Sequence, residues 1–325
     1  VEKTRPVIVV YHPKYLVGTE WINRRHPFEF DRALQVVALL RQELGEPAAQ
    51  ALLRVPEARV SRRELAEVHD RDYLAVAHHS EVVARVIEVP ALRRWPRFLV
   101  RWWLIDPILW CMAGTLLAAR EVFREGVAFN LGGGFHHAKR EGGEGFCLFS
   151  DIALAIHTLR AESLLTPWEP IFYIDTDVHQ GNGVSTYFAD DPAVRILDVY
   201  NSHIYPFRDR RAVAGIDVAR PLPSGTGDQD YLSALESGLD ELFAEQPLPR
   251  LVIYNAGTDV FCEDLLGELR LTRQGVNRRD QMVLEAVRGR GIPMLVLASG
   301  GYSKTSARLV TDFILRAAEF ERERG

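Results

Sequence analysis

Six short runs in the chain are apolar almost without interruption: residues 7–11, 127–131, 171–175, 195–200, 251–254 and 293–298. A strand with one wet face alternates, whereas a strand buried on both faces does not. These runs therefore predict a mostly parallel sheet covered by helices on both faces. Between them the period changes to that of a helix. Residues 31–44 carry Leu34, Val37, Leu40 and Leu44 at helical spacing and stop at Gly45. Ser61 and Glu64 have capping-box spacing ahead of Leu65. Residues 151–160, 230–244, 275–288 and 305–321 also read as helices. The alternation predicts one doubly wound α/β domain spanning residues 1–325. No internal repeat or linker-like shift in composition divides it.

Polar residues gather where those runs end. Residues 127–131 lead into GGGFHH at 132–137, and residues 171–174 into DTDVHQGN at 175–182. Residues 195–199 lead into Tyr200, Asn201, Ser202 and His203. Residues 251–254 lead into NAGTD at 255–259, and residues 294–298 into SGGY at 299–302. Open parallel sheets bind ligands beyond the carboxyl ends of their strands, so parallel strands would bring these five ends to one crevice.

Composition removes several alternatives. Of 325 residues, 47% are apolar and 26% charged, which suits a globular chain rather than a disordered one. The 44 acidic side chains outnumber the 39 basic ones, leaving −5 and no basic footprint for nucleic acid. Cys111, Cys147 and Cys262 are odd in number and form no C-x-x-C pair. That argues against a disulfide framework and a cysteine zinc site, and predicts a reducing cytoplasm. The first thirteen residues lack the layout of a signal peptide. Residues 98–119 are the most hydrophobic stretch, but Arg101, Asp106 and Pro107 interrupt it, so no transmembrane span is expected.

Asp175, Asp177 and His179 stand at i, i+2 and i+4. In an extended segment they would share one face, with Thr176 and Val178 on the other. Carboxylate and imidazole suit zinc, and iron(II) as well. The plain alternative is a strand end with solvated acids. Asp259 is the best third ligand, and two carboxylates with one imidazole leave room for water. His136 and His137 follow three glycines. Imidazole is the usual acid/base near neutral pH, and Asp175 and Asn182 are suited to orient one. A phosphate loop is the rival for this segment, but neither nucleotide-binding glycine motif is present. Tyr302 alone reads as a half-buried aromatic; beside a metal it could donate to an oxyanion. Together these groups form the equipment of metal-assisted amide hydrolysis.

The motifs GGGFHHA at 132–138, GFC at 145–147, DTDVHQGNG at 175–183, NAGTD at 255–259 and SGGY at 299–302 resemble those of the zinc-dependent histone deacetylase family. Their order and spacing match from about residue 7 to residue 314. HQGN at 179–182, DVYNSHIYP at 198–206 and YNAGTD at 254–259 resemble the class IV branch. The resemblance implies an arginase/deacetylase-like fold and removal of acyl groups, acetyl or long-chain fatty acyl, from lysine side chains. It implies zinc on Asp177, His179 and Asp259. His137 would be the general acid/base and His136 its electrostatic partner, oriented by Asn182 and Asp175 respectively. Tyr302 would bind the carbonyl oxygen. Gly145, Phe146, Tyr205, Gly300 and Gly301 would line the acyl-lysine channel. Structural potassium would sit at Asp175 and Asp198 with backbone carbonyls. Asn182 stands where class I enzymes have a second aspartate, which implies a less strongly polarised His137.

Class I relatives also carry a loop aspartate that grips the substrate backbone; this region departs from that pattern, no aspartate aligns with it, and Asp106 is the one candidate. Trp95, Trp102, Trp103 and Trp110 fall in the same region. They read first as an amphipathic packing segment. The alternative is a hydrophobic acyl or membrane-surface contact through residues 95–110, in keeping with the class IV association with long-chain acyl groups. Three rival functions remain. An arginase-like hydrolase would need metal ligands where Val178 and Gln180 stand. The others are an acetylpolyamine-type amide deacetylase and an inactive acyl-lysine binding module.

Overall fold

A computed structural model describes residues 7–16, 26, 28–207, 209–244 and 247–324. Residues 1–6, on which part of the signal-peptide reading falls, lie outside the described residues. One sheet holds eight strands: β1 (Val7–Val10), β2 (Leu53–Arg54), β3 (Val127–Asn130), β4 (Ile171–Asp175), β5 (Val194–Asn201), β6 (Val218–Leu222), β7 (Leu251–Asn255) and β8 (Met294–Leu297). Their order is β2-β1-β3-β8-β7-β4-β5-β6, and every neighbouring pair is parallel. The six apolar runs are the six inner strands. The two strands without such a run are the edges. β2 has only two residues, and β6 contains Pro221, whose missing N–H is tolerable on an edge.

Alternate residues enter opposite cores. Ile8 and Val10 of β1 face one apolar cluster, and Val7 and Val9 the other. Helices α2 (Asp106–Glu125) and α3 (Asp151–Ala161) cover the first face. Helices α1 (Arg32–Leu44), α5 (Asp228–Ala244), α6 (Arg273–Arg288) and α7 (Ser306–Arg324) cover the second; the short α4 (Asn182–Phe188) follows β4. The core stripe of α1 is Ala33, Val36, Val37 and Leu40. Leu34 and Leu44, expected on that stripe, are 38% and 37% exposed, because the buried face is turned towards Ala33 and Val36. The capping box forms as expected: Ser61 Oγ accepts the Glu64 N–H, and a Glu64 carboxylate oxygen accepts the Ser61 N–H.

Helix α2 continues at its N-terminal end through a π-helical stretch (Arg101–Ile105) into a short turn (Arg97–Val100). By length and composition this combined helix is the one membrane-span candidate among the described residues, yet 72% of its apolar window is buried inside the protein. That burial is what a core helix shows.

Two buried side chains set the loops that carry the functional motifs. Arg279 of α6 donates through Nη1 to the carbonyls of Thr176 (3.1 Å) and Gly257 (2.5 Å). Its charge is matched by Asp280 at 2.8 Å, which also accepts the Tyr254 hydroxyl at 2.6 Å. The rigid guanidinium fork thus ties together the loops after β4 and β7. His69 acts on the long segment after β3. Its Nε2 accepts the Ser150 N–H at 3.0 Å, and its Nδ1 lies 3.3 Å from the Arg140 carbonyl, to which it donates.

Burial pushes the His69 pKa down to about 4, despite the opposing hydrogen bond to Arg140. The unfolded chain protonates near pH 6.5 and the folded one does not, so this histidine's contribution is intact above pH 6.5. It is lost progressively as pH falls towards 4. Between pH 7.5 and 5, wild-type stability from urea titrations should fall about 2 kcal/mol further than that of His69→Gln. Equal losses in the two proteins would remove His69 as an acid-labile tie.

Candidate active site

Strands β3, β8, β7 and β4 are neighbours in the centre of the sheet. Their carboxyl ends lead into residues 132–137, 299–302, 255–259 and 175–182, so four motifs far apart in sequence meet at one crevice. Of the fifth run end, His203 is exposed, whereas Tyr205 two residues later reaches His137 with ring centroids 5.0 Å apart.

Asp177, His179 and Asp259 form the single cluster of three or more metal-ligand side chains among the described residues; their ligand atoms lie within 4.8 Å of one another. His179 Nδ1 is 3.2 Å from Asp177 Oδ1 and 3.3 Å from Asp259 Oδ2. The extended geometry expected for residues 175–179 is not what gathers them. Strand β4 stops at Asp175, and the chain then bends twice. Asp175 Oδ1 accepts the Asp177 N–H at 3.1 Å, and Asp177 Oδ1 accepts the His179 N–H at 3.0 Å. Aspartate side chains that capture the N–H two residues on are turn formers. Asp177 and His179 therefore face Asp259, while Asp175 turns away to His136.

The trio fits a cation. Asp177 Oδ2 accepts the Ser299 hydroxyl (3.0 Å) and the Gly300 N–H (2.9 Å), and Asp259 Oδ1 accepts the Val178 N–H (2.9 Å). Asp259 Oδ2 is buried without a hydrogen-bond partner. Burial and the neighbouring Asp177 charge push the Asp259 pKa up to about 7. Burial opposes a charge on His179, but the adjacent Asp177 and Asp259 carboxylates outweigh it and raise its pKa to about 10. Buried negative charge contributes to both shifts, and a divalent ion would neutralise it. Gly300 closes the site from beneath. A Cβ there would lie 2.2 Å from Asp259 Oδ2 and 2.5 Å from Asp177 Oδ2.

The two histidines have different partners. His136 Nδ1 donates to Asp175 Oδ2 at 2.8 Å, and the Tyr173 hydroxyl and Asn255 amide also bond Asp175. Burial disfavours its charge, yet Asp175 and Asp177 outweigh burial and lift its pKa to about 9. His137 Nδ1 donates to Asn182 Oδ1 at 2.7 Å. Burial, then the positive charges of His136 and His179, push His137 well below its ordinary value. Asn182 is held the right way round because its amide donates to the Glu144 carboxylate, which pairs with Lys139 at 3.0 Å. A carboxylate, Glu144, is thus linked to His137 through the neutral Asn182 amide.

Tyr302 is buried beside this group, its ring 6.2 Å from His179 and 6.1 Å from Phe146. Burial and the charges of Asp259 and Asp177 raise its pKa well above the usual value, so its hydroxyl remains a donor. Its own N–H donates to Asp264 at 2.7 Å. Gly145 has φ +51°, and a Cβ there would lie 2.4 Å from the His137 ring. Gly145, Phe146, Gly300 and Tyr302 line one cavity with His136, His137 and Asp177. Gly301 lies outside that lining, packed on Thr258, Ser306 and Arg32. Below the carboxylates, Asp175 and Asp198 face each other across β4 and β5, and Asp198 Oδ1 is buried without a hydrogen-bond partner. Burial and Asp175 push Asp198 well above its ordinary pKa.

Several participants escaped the sequence reading. Asn255 and Ser299 bridge the Asp175 and Asp177 carboxylates, Arg32 donates to the carbonyls of Ser299 and Gly300, and Glu144 supports Asn182. Tyr173 alone carried a usable signal, two residues before Asp175 on the same strand face. Asp106 is not at the cavity; it lies 3.7 Å from Arg59 and 3.6 Å from Arg101. Glu88 (φ +58°) is an exposed acid outside the cavity lining; burial raises its pKa and the charge of His179 opposes the rise. The tryptophans divide. Trp95 packs on the core, Trp110 stacks on His12 at 4.0 Å, and Trp102 and Trp103 are exposed. The cavity takes Ile108 and Cys111 from this helix and none of residues 95–107.

Residues 26–318 match the histone deacetylase domain family. Histone deacetylase 2 of Arabidopsis thaliana is 39% identical over 308 residues, which is 95% of this chain and 78% of the plant protein. An uncharacterized protein of Picosynechococcus is 32% identical over 305 residues, 93% of this chain and 94% of its own length. A solved HDAC homolog from Aquifex aeolicus shares the fold, with a TM-score of 0.76 at 23% identity over 97% of this chain and 84% of that one. The chain is accordingly a member of the zinc-dependent histone deacetylase family, a metal-dependent hydrolase of amides.

Proposed function

We propose that this chain hydrolyses acyl-lysine amides with Asp177, His179 and Asp259 as ligands of a catalytic zinc ion, and that it accepts acyl groups longer than acetyl. The observation that carries the reading is one cavity lined by Asp177, His136, His137 and Tyr302, with His179 and Asp259 clustered on Asp177 and with Asp175 and Asn182 bonded to the two histidines behind it. Iron(II) suits the same ligands. Asp175 and Asp198, with neighbouring carbonyls, are the proposed potassium site.

The bound ion supplies Lewis acidity that polarises the acyl carbonyl and acidifies water. The protein groups do the rest. With Nδ1–H committed to Asn182, His137 keeps Nε2 free to take the proton from the attacking water. His136, protonated and held by Asp175, places positive charge beside the developing oxyanion. Tyr302 donates its hydroxyl hydrogen to that oxyanion. The proton on His137 then passes to the departing lysine amine. Phe146 and Gly145 hold the lysine stem in the channel, with Tyr205 beside His137.

Acyl length follows from the inner end of the cavity. Its lining also includes the buried side chains of Tyr15, Ile108, Cys111 and Leu131, apolar surface that supports room for a longer acyl chain. The class IV resemblance supports the same reading. Longer acyl groups would thus be received by the interior, not by a tryptophan lip. A second reading, deacetylation of acetylated polyamines, is favoured by Glu88, whose carboxylate could receive an ammonium group. Free thiols at Cys111, Cys147 and Cys262 support a reducing compartment such as the cytoplasm.

Three outcomes test these roles. Tyr302→Phe should lower kcat about 100- to 1,000-fold while metal content by elemental analysis stays at the wild-type level; unchanged turnover would remove Tyr302 from the reaction. Asp259→Asn should reduce bound metal per chain after dialysis, and an undiminished stoichiometry would reject it as a ligand. In chelator-sensitive assays kcat/KM should be higher for octanoyl-lysine than for acetyl-lysine peptide. A strong acetyl preference would overturn the longer-acyl reading, and faster turnover of acetylspermidine than of any peptide would favour the polyamine reading.

A further inference from the structure

Three aromatic side chains on one short helical segment face solvent, and the cavity uses none of them. Phe98 and Trp102 are each 67% exposed and Trp103 is 36% exposed. The Trp102 and Trp103 rings stack at 6.1 Å with an interplanar angle of 13°. Phe98 and Trp102 lie one helical turn apart and form an outward stripe. Val100, Leu104 and Ile105 of the same segment are buried and fix its inner side. An isolated exposed apolar residue is ordinary, but three within six residues of one helix make a patch.

Arginines frame this patch. Arg93, Arg94, Arg97 and Arg101 are all exposed. Arg93, Arg94 and Arg97 form no ion pair among the described residues, and Arg101 is 3.6 Å from Asp106. A groove alongside has Leu65 and Leu109 in its lining, with Arg59, Arg62, Arg97 and Arg101 around them. The chain as a whole carries −5, so this positive field is local.

We propose that residues 93–103 dock the protein on an anionic lipid bilayer. Phe98, Trp102 and Trp103 enter the boundary between headgroups and acyl chains, where indole rings are favoured. The arginines meet lipid phosphates. A second copy of the chain is a poorer occupant, because a two-fold contact through this patch would set four arginines against four arginines. Each arginine near an anionic surface strengthens partitioning about fivefold, so three contribute on the order of a hundredfold. The proposal does not rest on the hydrolase reading.

Sedimentation with sucrose-loaded vesicles tests it. Wild type should bind vesicles of phosphatidylglycerol and phosphatidylcholine, bind phosphatidylcholine alone far more weakly, and release as salt is raised. Phe98→Ser with Trp102→Ser should weaken partitioning at least tenfold. Arg93→Gln, Arg94→Gln and Arg97→Gln together should weaken it on the order of a hundredfold. All the substituted positions are exposed, and unchanged thermal melting would verify folding. Brominated acyl chains should quench tryptophan fluorescence in the unmodified protein, a readout that needs no variant. Absence of binding to phosphatidylglycerol vesicles, equal binding by the variants, or absence of quenching would overturn the proposal. Dimerisation in analytical ultracentrifugation that both variants abolish, without vesicle binding, would assign the patch to a second copy.

Discussion

Two carboxylates, Asp177 and Asp259, are held side by side in the interior at the ends of β4 and β7, and most of the surrounding architecture answers to that constraint. Burying one charge is expensive, and burying two of the same sign is more so unless opposite charge and hydrogen bonds are supplied. The fold supplies backbone N–H groups from Val178 and Gly300, the Ser299 hydroxyl and the imidazole of His179. Asp259 Oδ2 is left without a hydrogen bond. The site is therefore incomplete as protein alone and poised for a cation.

Holding the acids together requires rigid loops, and rigidity comes from buried cations placed behind them. Arg279 grips the carbonyls of Thr176 and Gly257 from one side, and Arg32 those of Ser299 and Gly300 from another. Both arginines use carbonyls that no sheet ladder can satisfy, because these residues lie past the strand ends. The apolar clusters on the two faces of the sheet provide the burial that makes such ties strong.

The same electrostatics divide the labour of two adjacent histidines. His136 sits directly on the Asp175 carboxylate and is drawn to the protonated form. His137 meets a neutral amide and two positive neighbours, and is held neutral. Behind His137 the chain places the Asn182 amide, and the charge lies one hydrogen bond further out on Glu144, paired with Lys139.

The six inner strands, and the run ends whose motifs carry Asp177, His179, Asp259, His136, His137 and Tyr302 to one place, could be read from the chain alone. Continuous apolar runs are the signature of strands buried on both faces, and the chemistry of these residues clusters at the run ends. The edge strands β2 and β6 could not, because a strand wet on one side and flanked on one edge has no such pattern. Contacts across long sequence separations were equally hidden. Arg279 to Thr176, Arg32 to Gly300 and Glu144 to Asn182 are decided by which strand ends lie side by side, and that is a property of the sheet order. Nor could the string of residues 95–110 say which tryptophans pack and which face water. That depends on how the helix turns on the core, which only tertiary packing decides.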